Sequence, residues 1–398
     1  MGPSAGPDHG PFPEEVTMDF DLSPEQSAYR DEVIRFAQRE LSDDVISRDA
    51  EGTFAAKAWQ RCAEFGIQGL PVPREYGGQG ADALTIMIAM EALGYGCRDN
   101  GLLFSLNAQM WACQTPILRA GTEEQKQRYL PGLCDGSMIA AHGMSEPGSG
   151  SDAFALSTVA EPRGDRYILN GSKIFVSNAP VADLFVVFAT TDRTAGWAGL
   201  CGFLVERGTP GFSVGQPIHK MGLRTSPMAE LFFDDCELPS EQMLGAAGSG
   251  MAVFNSAMEW ERSCILACTV GTMQRQVERS IAYARERRQY GQPIGKFQAV
   301  SHRIVEMKLR LETARLMLYR LGWLMTQGRA TGLDSALTKL HLSECFVQTG
   351  LDALQIHGGY GYMTEYELER DVRDAIGARI YSGTSDIQRN IAARFLRL

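Results

Sequence analysis

The sequence has no apolar run near the roughly 20 residues needed to span a bilayer, so no membrane span is expected. It is also short of positive charge: 38 Lys and Arg face 48 Asp and Glu, a formal net charge of -10. That balance argues against a nucleic-acid partner, because phosphate backbones are held by clustered Lys and Arg. The nine cysteines contain no C-x-x-C pair, so neither a zinc site nor a disulfide framework is signalled, and no metal is expected. Buried free thiols in a reducing compartment fit instead, which places the chain in the cytoplasm. Residues 1–17 have four Pro and three Gly but no Lys, no Arg and no apolar stretch. They read as a disordered extension with no structural role, neither a secretory signal nor an Arg-rich presequence, with Met18 the functional start.

What is present divides by period. At 398 residues the chain exceeds what one core usually supports, so several domains are expected. Over 18–137 apolar residues recur at helical spacing, with capping-box patterns at Ser23-Pro24-Glu25-Gln26 and Thr122-Glu123-Glu124-Gln125. Over 138–248 the pattern changes to short β-branched and aromatic runs, read as a small β-domain in which Asn170-Gly171 makes a hairpin turn between Tyr167–Leu169 and Lys173–Ser177. From 249 to 398 long helices return, one of them reading continuously from Met251 to Arg288. The expected fold class is mostly α with a central β-domain. With no βαβ alternation, the glycines do not form a Rossmann motif.

Three stretches carry candidate chemistry. Gly143-Met-Ser-Glu-Pro-Gly-Ser-Gly-Ser-Asp152 sits where helix gives way to strand. Its glycines allow close backbone approach and its serines can donate or accept, so it reads as a binding loop or as a linker between packing units. On the helix that follows the β-domain, Glu259 shares its face with Asn255, Ser256, Arg262 and Ser263, whereas Glu261 shares its face with Ala257, Met258, Cys264 and Ile265. Desolvation should raise the pKa of Glu261 and suit it to proton abstraction; the other reading is a stem that packs while its head reaches solvent. Arg287 offers a planar fork suited to pyrophosphate, or else one more surface charge, and Gly358–Gly361 reads alone as a helix C-cap.

Together these stretches resemble the acyl-CoA dehydrogenase family from Asp19 to Leu398. The resemblance is carried by 143–152, by Asn-Gly-Ser-Lys-Ile-Phe-Val-Ser-Asn at 170–178, by Arg-Arg-Gln-Tyr-Gly-Gln-Pro-Ile-Gly-Lys-Phe-Gln at 287–298, and by Gln-Ile-His-Gly-Gly-Tyr-Gly-Tyr from 355 with Gly-Thr-Ser-Asp-Ile-Gln-Arg from 383. It implies an N-terminal helical domain, a middle β-barrel or sandwich and a C-terminal four-helix bundle, assembled as a homotetramer around FAD. By position it implies flavin contacts from Met144, Ser145, Gly150, Ser151, Phe175 and Ser177. Arg287, Tyr290, Gln298, Gln355 and Gly359 would hold the adenosine diphosphate portion across a subunit boundary, with Thr384 and Asp386 as further contacts. Many relatives carry Trp at Phe175, and Glu or Gln at Asp386.

The resemblance also bears on the base. Short- and medium-chain members place their catalytic Glu where this chain has Ser382, and serine cannot serve as that base. The isovaleryl and long-chain members carry it in a Glu-Arg pair matching Glu261-Arg262. The implied activity is α,β-dehydrogenation of an acyl thioester of coenzyme A or of an acyl carrier protein, Glu261 taking the α-proton and flavin the β-hydride. An electron-transfer flavoprotein would be the acceptor. Ser151, Glu259, Arg262 and Ser382 would meet the substrate, Glu259 standing where relatives have Asp. A flavin-dependent monooxygenase or oxidase on the same fold is the alternative.

Overall fold

The computed structural model describes residues 21–398; the extension read at 1–17 and the start at Met18 lie outside them. Seven helices come first: α1 (Pro24–Glu40), α2 (Val45–Glu51), α3 (Ala56–Phe65), α4 (Ala83–Gly96), α5 (Asn100–Gln109), α6 (Thr115–Ala120) and α7 (Glu123–Asp135). Both expected capping boxes form, Ser23 with Gln26 on α1 and Thr122 with Gln125 on α7, each satisfying two backbone donors that a helix start leaves unpaired. A π-turn, Met110–Gln114, joins α5 to α6 and carries the buried Trp111 and Cys113.

The strands of the middle region are β1 (Ala140–Gly143), β2 (Val159–Arg163), β3 (Arg166–Ser177), β4 (Leu184–Thr190), β5 (Leu200–Glu206), β6 (Phe212–Val214), β7 (Met228–Pro239) and β8 (Met243–Leu244), and a separate two-stranded ribbon pairs Arg288–Gln289 with Gln292–Pro293. The middle strands form one sheet in the order β6-β7-β3-β2-β4-β5-β8, with β1 parallel to β4. The hairpin expected at Asn170-Gly171 is not there. Both residues lie inside β3, at a register shift against β7 between Leu169 and Gly171. The bulge uses the same conformational freedom a turn would: Gly171 has φ 143°, and a Cβ there would lie 2.6 Å from Thr158 Oγ1. Asn170 meanwhile exchanges hydrogen bonds with Asp235 on β7, its Nδ2 donating to Oδ1 at 3.0 Å. The tight turn falls earlier, where Gly164-Asp165 joins β2 to β3 across the Arg163–Arg166 pair.

The closing helices are α8 (Gly250–Cys264), α9 (Ala267–Glu286), α10 (Gln298–Thr326), α11 (Gly332–His357), α12 (Leu368–Ala378) and α13 (Ser385–Phe395). The continuous helix expected over 251–288 is broken at Ile265–Leu266. Hydroxyls compete with the backbone ladder on both sides of the break, Ser263 Oγ donating to Glu259 O at 2.7 Å and Thr269 Oγ1 to Leu266 O at 2.6 Å. The N-terminal helices share one core with this bundle, and α4 crosses α9 at backbone contact. A Cβ on Gly94 would sit 1.9 Å from Cys268 O, and one on Gly271 2.0 Å from Glu91 O. Among the described residues no helix is long and apolar enough to cross a membrane, and all nine cysteines are free and buried.

Candidate active site

The 143–152 stretch folds as a tight loop around a buried ion pair. Glu146 and Ser149 exchange backbone hydrogen bonds of 2.9 and 3.0 Å across Pro147-Gly148, and Ser149 Oγ donates to Asp152 O at 2.6 Å. The Glu146 carboxylate points inward, accepting from Lys173 Nζ at 2.7 Å, Ser157 N at 2.6 Å and Thr158 N at 3.0 Å. Both members of the pair are buried, Lys173 at 0% and Glu146 at 1% side-chain exposure. Burial alone would push the Glu146 carboxyl up, but the Lys173 charge and these donors outweigh it and hold the group down at about 2. Sequence reading missed this pair, although it fixes the loop. Lys173 Nζ also reaches Met144 O at 3.3 Å, and Ile174 N donates to Ser145 O at 2.9 Å, so the loop is tied along β3. Met144 is itself a core side chain, and only its backbone is left to offer a ligand.

Beside the loop, a second register shift in β3 between Lys173 and Val176 puts Phe175 at φ 59° and leaves its ring 61% exposed. A large aromatic ring held outward on a rigid bulge is an open stacking surface. Ser177 is half-buried on the same strand, while Gly148, Gly150 and the exposed Ser151 keep the loop tip open, with nothing within 4 Å of a Cβ built on either glycine.

On α8 the structure separates the two glutamates: Glu259 is exposed and Glu261 buried. Ser382 Oγ donates to Glu261 Oε1, whereas Oε2 is buried and has no hydrogen-bond partner among the described residues. Burial raises the Glu261 pKa, and the Ser382 hydroxyl, Arg262 and Lys339 oppose the rise. Ser382 occupies the left-handed region at φ 56°, followed by Gly383 at 85°. Its N–H makes no hydrogen bond among the described residues. A desolvated carboxylate, a free N–H donor and the half-buried Arg262, whose Nε is likewise unpartnered, thus meet in one place. Behind them Phe104 and Tyr381 rings lie 4.7 Å apart, and the space lined by Phe104, Asn107, Ile265, Phe346 and Tyr381 is only 20 Å³.

A third feature lies on the C-terminal helices: a cavity of 530 Å³ lined by Tyr283, Arg287, Gly358, Gly359, Tyr360 and Met363. The Arg287 guanidinium lies 5.5 Å over the Tyr360 ring, and nothing comes within 4 Å of a Cβ built on Gly358 or Gly359. Tyr290 (94% exposed), Gln298 and Gln355 stand outward nearby in the sequence. No hydrogen bond or ring contact among the described residues links them to the Gly143–Asp152 loop.

Family models match nearly the whole chain in order: acyl-CoA dehydrogenase N-terminal domain at 23–137, middle domain at 141–236 and C-terminal domain at 248–397. The chain belongs to the acyl-CoA dehydrogenase family. Among its relatives is the L-prolyl-[peptidyl-carrier protein] dehydrogenase of Pseudomonas fluorescens, 45% identical over 96% of this chain and 100% of that one. Two similar solved structures are the prolyl acyl carrier protein oxidase AnaB (50% identity, 95% and 100% of the two chains, TM-score 0.94) and PigA with FAD and proline (43%, 96% and 100%, TM-score 0.94).

This dehydrogenase is therefore an FAD-dependent oxidoreductase acting on the CH–CH bond of an acyl thioester, and the monooxygenase or oxidase alternative is not favoured. Its residues fit that cofactor. The outward Phe175 ring and the open tip at Gly150 and Ser151 suit a flat ring system, and the Arg287 cavity with its bare glycine floor suits a charged diphosphate. Two expected contacts are already engaged within the chain: Thr384 caps α13 through Ile387 N at 3.2 Å, and the exposed Asp386 pairs with Arg389 at 3.0 Å.

Proposed function

We propose that this dehydrogenase oxidises a small cyclic aminoacyl thioester, an L-prolyl group on a carrier protein, with Glu261 as the base. The observation that carries the reading is the buried Glu261 carboxylate, tethered by Ser382 through one oxygen and unpartnered at the other. Desolvation makes it a stronger base than a solvated glutamate, and it needs only accept the α-proton at Oε2. As that proton leaves, negative charge grows on the thioester carbonyl oxygen. The unengaged Ser382 N–H is a preorganised donor for it, and burial of the site strengthens that contact. The Gly143–Asp152 loop, Phe175, Ser177 and the Arg287 cavity would hold FAD, which would supply the two-electron acceptor for the β-hydride. Ser151, Glu259 and Arg262 would flank the entering thioester.

Relatives named for prolyl carrier-protein substrates support the choice of acyl group and of carrier. We further propose a homotetramer that shares FAD between subunits, on the grounds that Val305, Leu309 and Leu316 leave apolar side chains exposed on α10. An electron-transfer flavoprotein is our acceptor and the cytoplasm our location, the free thiols being consistent with the second. The domain limits 18–137, 138–248 and 249–398 follow the change from helix to strand and back.

The test is anaerobic flavin bleaching. L-prolyl carrier protein should bleach the enzyme faster than a long-chain acyl-CoA. Glu261→Gln should still bind FAD and thioester but bleach about 10²- to 10⁴-fold more slowly, whereas the solvent-facing Glu259→Gln should act on KM. Bleaching by Glu261→Gln at the unmodified rate would sink the assignment.

A further inference from the structure

The segment Tyr381-Ser382-Gly383 holds Ser382 at a positive φ of 56° that a serine does not favour, ahead of a glycine at 85° that accepts it readily. Two buried side chains from different helices hold it there. Gln388 of α13 donates through Nε2 to Ser382 O at 3.1 Å and to Gly383 O at 2.9 Å, and Lys339 of α11 donates through Nζ to Gly383 O at 2.8 Å. Gln388 shows that a neutral amide suffices to pin these carbonyls. Lys339, at 0% exposure, brings a full positive charge into the interior, where an uncompensated ammonium is costly. Its Nζ lies 5.9 Å from the Tyr381 ring centre, and the carboxylates around it are Glu261 and Glu344. Glu344 is already engaged by Arg379, Arg389 and Ser385. Of these two, Glu261 is the buried one, and it forms no salt bridge among the described residues.

We propose that Lys339 is a positioning residue of the dehydrogenation: it locks the turn that presents Ser382 and supplies the buried charge against which Glu261 stands as a carboxylate. The inference rests on the reading of Glu261 as base. The groups facing Glu261 are Ser382 and Tyr381 from the turn, Arg262 from its own helix, Cys113 from the π-turn and Lys339 from α11. Burial raises the Cys113 thiol and the Tyr381 hydroxyl, so both stay neutral at ordinary pH. The cations opposing the burial of Glu261 are thus Arg262 and Lys339. Burial pushes Lys339 itself down to about 8 while Glu261 holds it up, and it remains largely protonated at neutral pH.

Lys339→Met keeps the length of the side chain and removes the charge. In the holoenzyme, the acid limb of the pH profile for flavin reduction by L-prolyl-pantetheine should move to higher pH by about one unit, the size expected when a near opposite charge is lost. The infrared band of a protonated carboxyl, assigned by its absence in Glu261→Gln, should move with it. Gln388→Met weakens the turn while leaving the charge, and should lower the rate with the limb unmoved. Where Lys339→Met fails to fold, Lys339→Gln, which retains a donor for Gly383 O, carries the same test. A limb and band within 0.2 unit of the wild type, about a fifth of the expected shift, would overturn the proposal and leave Lys339 a structural pin. Unmodified reduction by Glu261→Gln would instead overturn the base assignment itself, so the two failures read differently.

Discussion

Lys173→Met leaves the Glu146 carboxylate buried without its cation, in the loop proposed to hold FAD. Glu146 keeps its donors from Ser157 and Thr158, but its charge loses its ion-pair partner at 1% exposure. Breaking such a pair from one side costs about 3–5 kcal/mol. Unfolding entropy of about 2.1 cal/mol/K per residue gives roughly 0.8 kcal/mol/K if all 398 residues melt together. The loss then reads as a fall in Tm of about 4–6 °C, and more if the β-domain melts by itself. The assay is calorimetry at fixed excess FAD, since bound cofactor shifts Tm by mass action. Glu146→Gln with Lys173→Met restores neutrality while keeping an acceptor for Ser157 and Thr158, and should recover at least half the loss. The pH dependence has a definite sign. Because the folded Glu146 is held at about 2, below its unfolded value of 4.5, its contribution is complete above 4.5 and is lost as pH falls toward 2. In Lys173→Met the stranded carboxylate protonates more readily, so the gap between variant and wild type should narrow on acidification. A Tm within about 1 °C of wild type at pH 7, with flavin content unchanged, would refute the reasoning, since even 3 kcal/mol exceeds that shift.

Two further outcomes test the cofactor surfaces. Arg287→Ala removes the proposed charge-assisted diphosphate contact, about 1.5–3 kcal/mol, and should weaken FAD retention about 10- to 150-fold by flavin fluorescence titration, with little change in the melting of the apoprotein. Phe175→Ala removes a ring that is 61% exposed, so apoprotein stability should move by less than about 0.5 kcal/mol while FAD affinity falls by the 0.5–1.5 kcal/mol typical of an aromatic pair. Equal losses in apoprotein stability and FAD affinity would mean the ring packs against protein instead.

Much of the fold was legible because helices declare themselves locally. The capping boxes at Ser23 and Thr122 and the three-and-four spacing of apolar residues need no distant partner to be read. Strands depend on what lies beside them, and there sequence reading erred. Asn170-Gly171 supplies residues tolerant of unusual backbone angles, and whether they make a turn or a bulge depends on β7, where Asn170's partner Asp235 lies 65 positions further along. The turn at Gly164-Asp165 had a signal of its own, a glycine followed by aspartate between two runs. The short β1 and the two-residue β8 carry almost no β-branched residues and offered none.

The same contrast runs through the site. Glu261 could be told from Glu259 because a helix fixes which neighbours share a face, and the structure buries one and exposes the other. Lys339 is marked in the same way, since its companions at three and four positions are Ser335, Ala336, Leu342 and Ser343, all four buried. Lys173 admits no such test. Register shifts at Leu169/Gly171 and at Lys173/Val176 interrupt the alternation on either side of it, so counting by twos cannot say which face it occupies. What both lysines share is energetic: a buried ammonium implies a buried anion, because leaving one unpaired costs more than a marginally stable fold can bear. Sequence alone gives neither anion, since Glu146 lies 27 positions from its partner Lys173 and Glu261, whose charge Lys339 is proposed to oppose, lies on a different helix. Each anion sits at a proposed functional element, one inside the loop proposed to hold the cofactor and one at the proposed base.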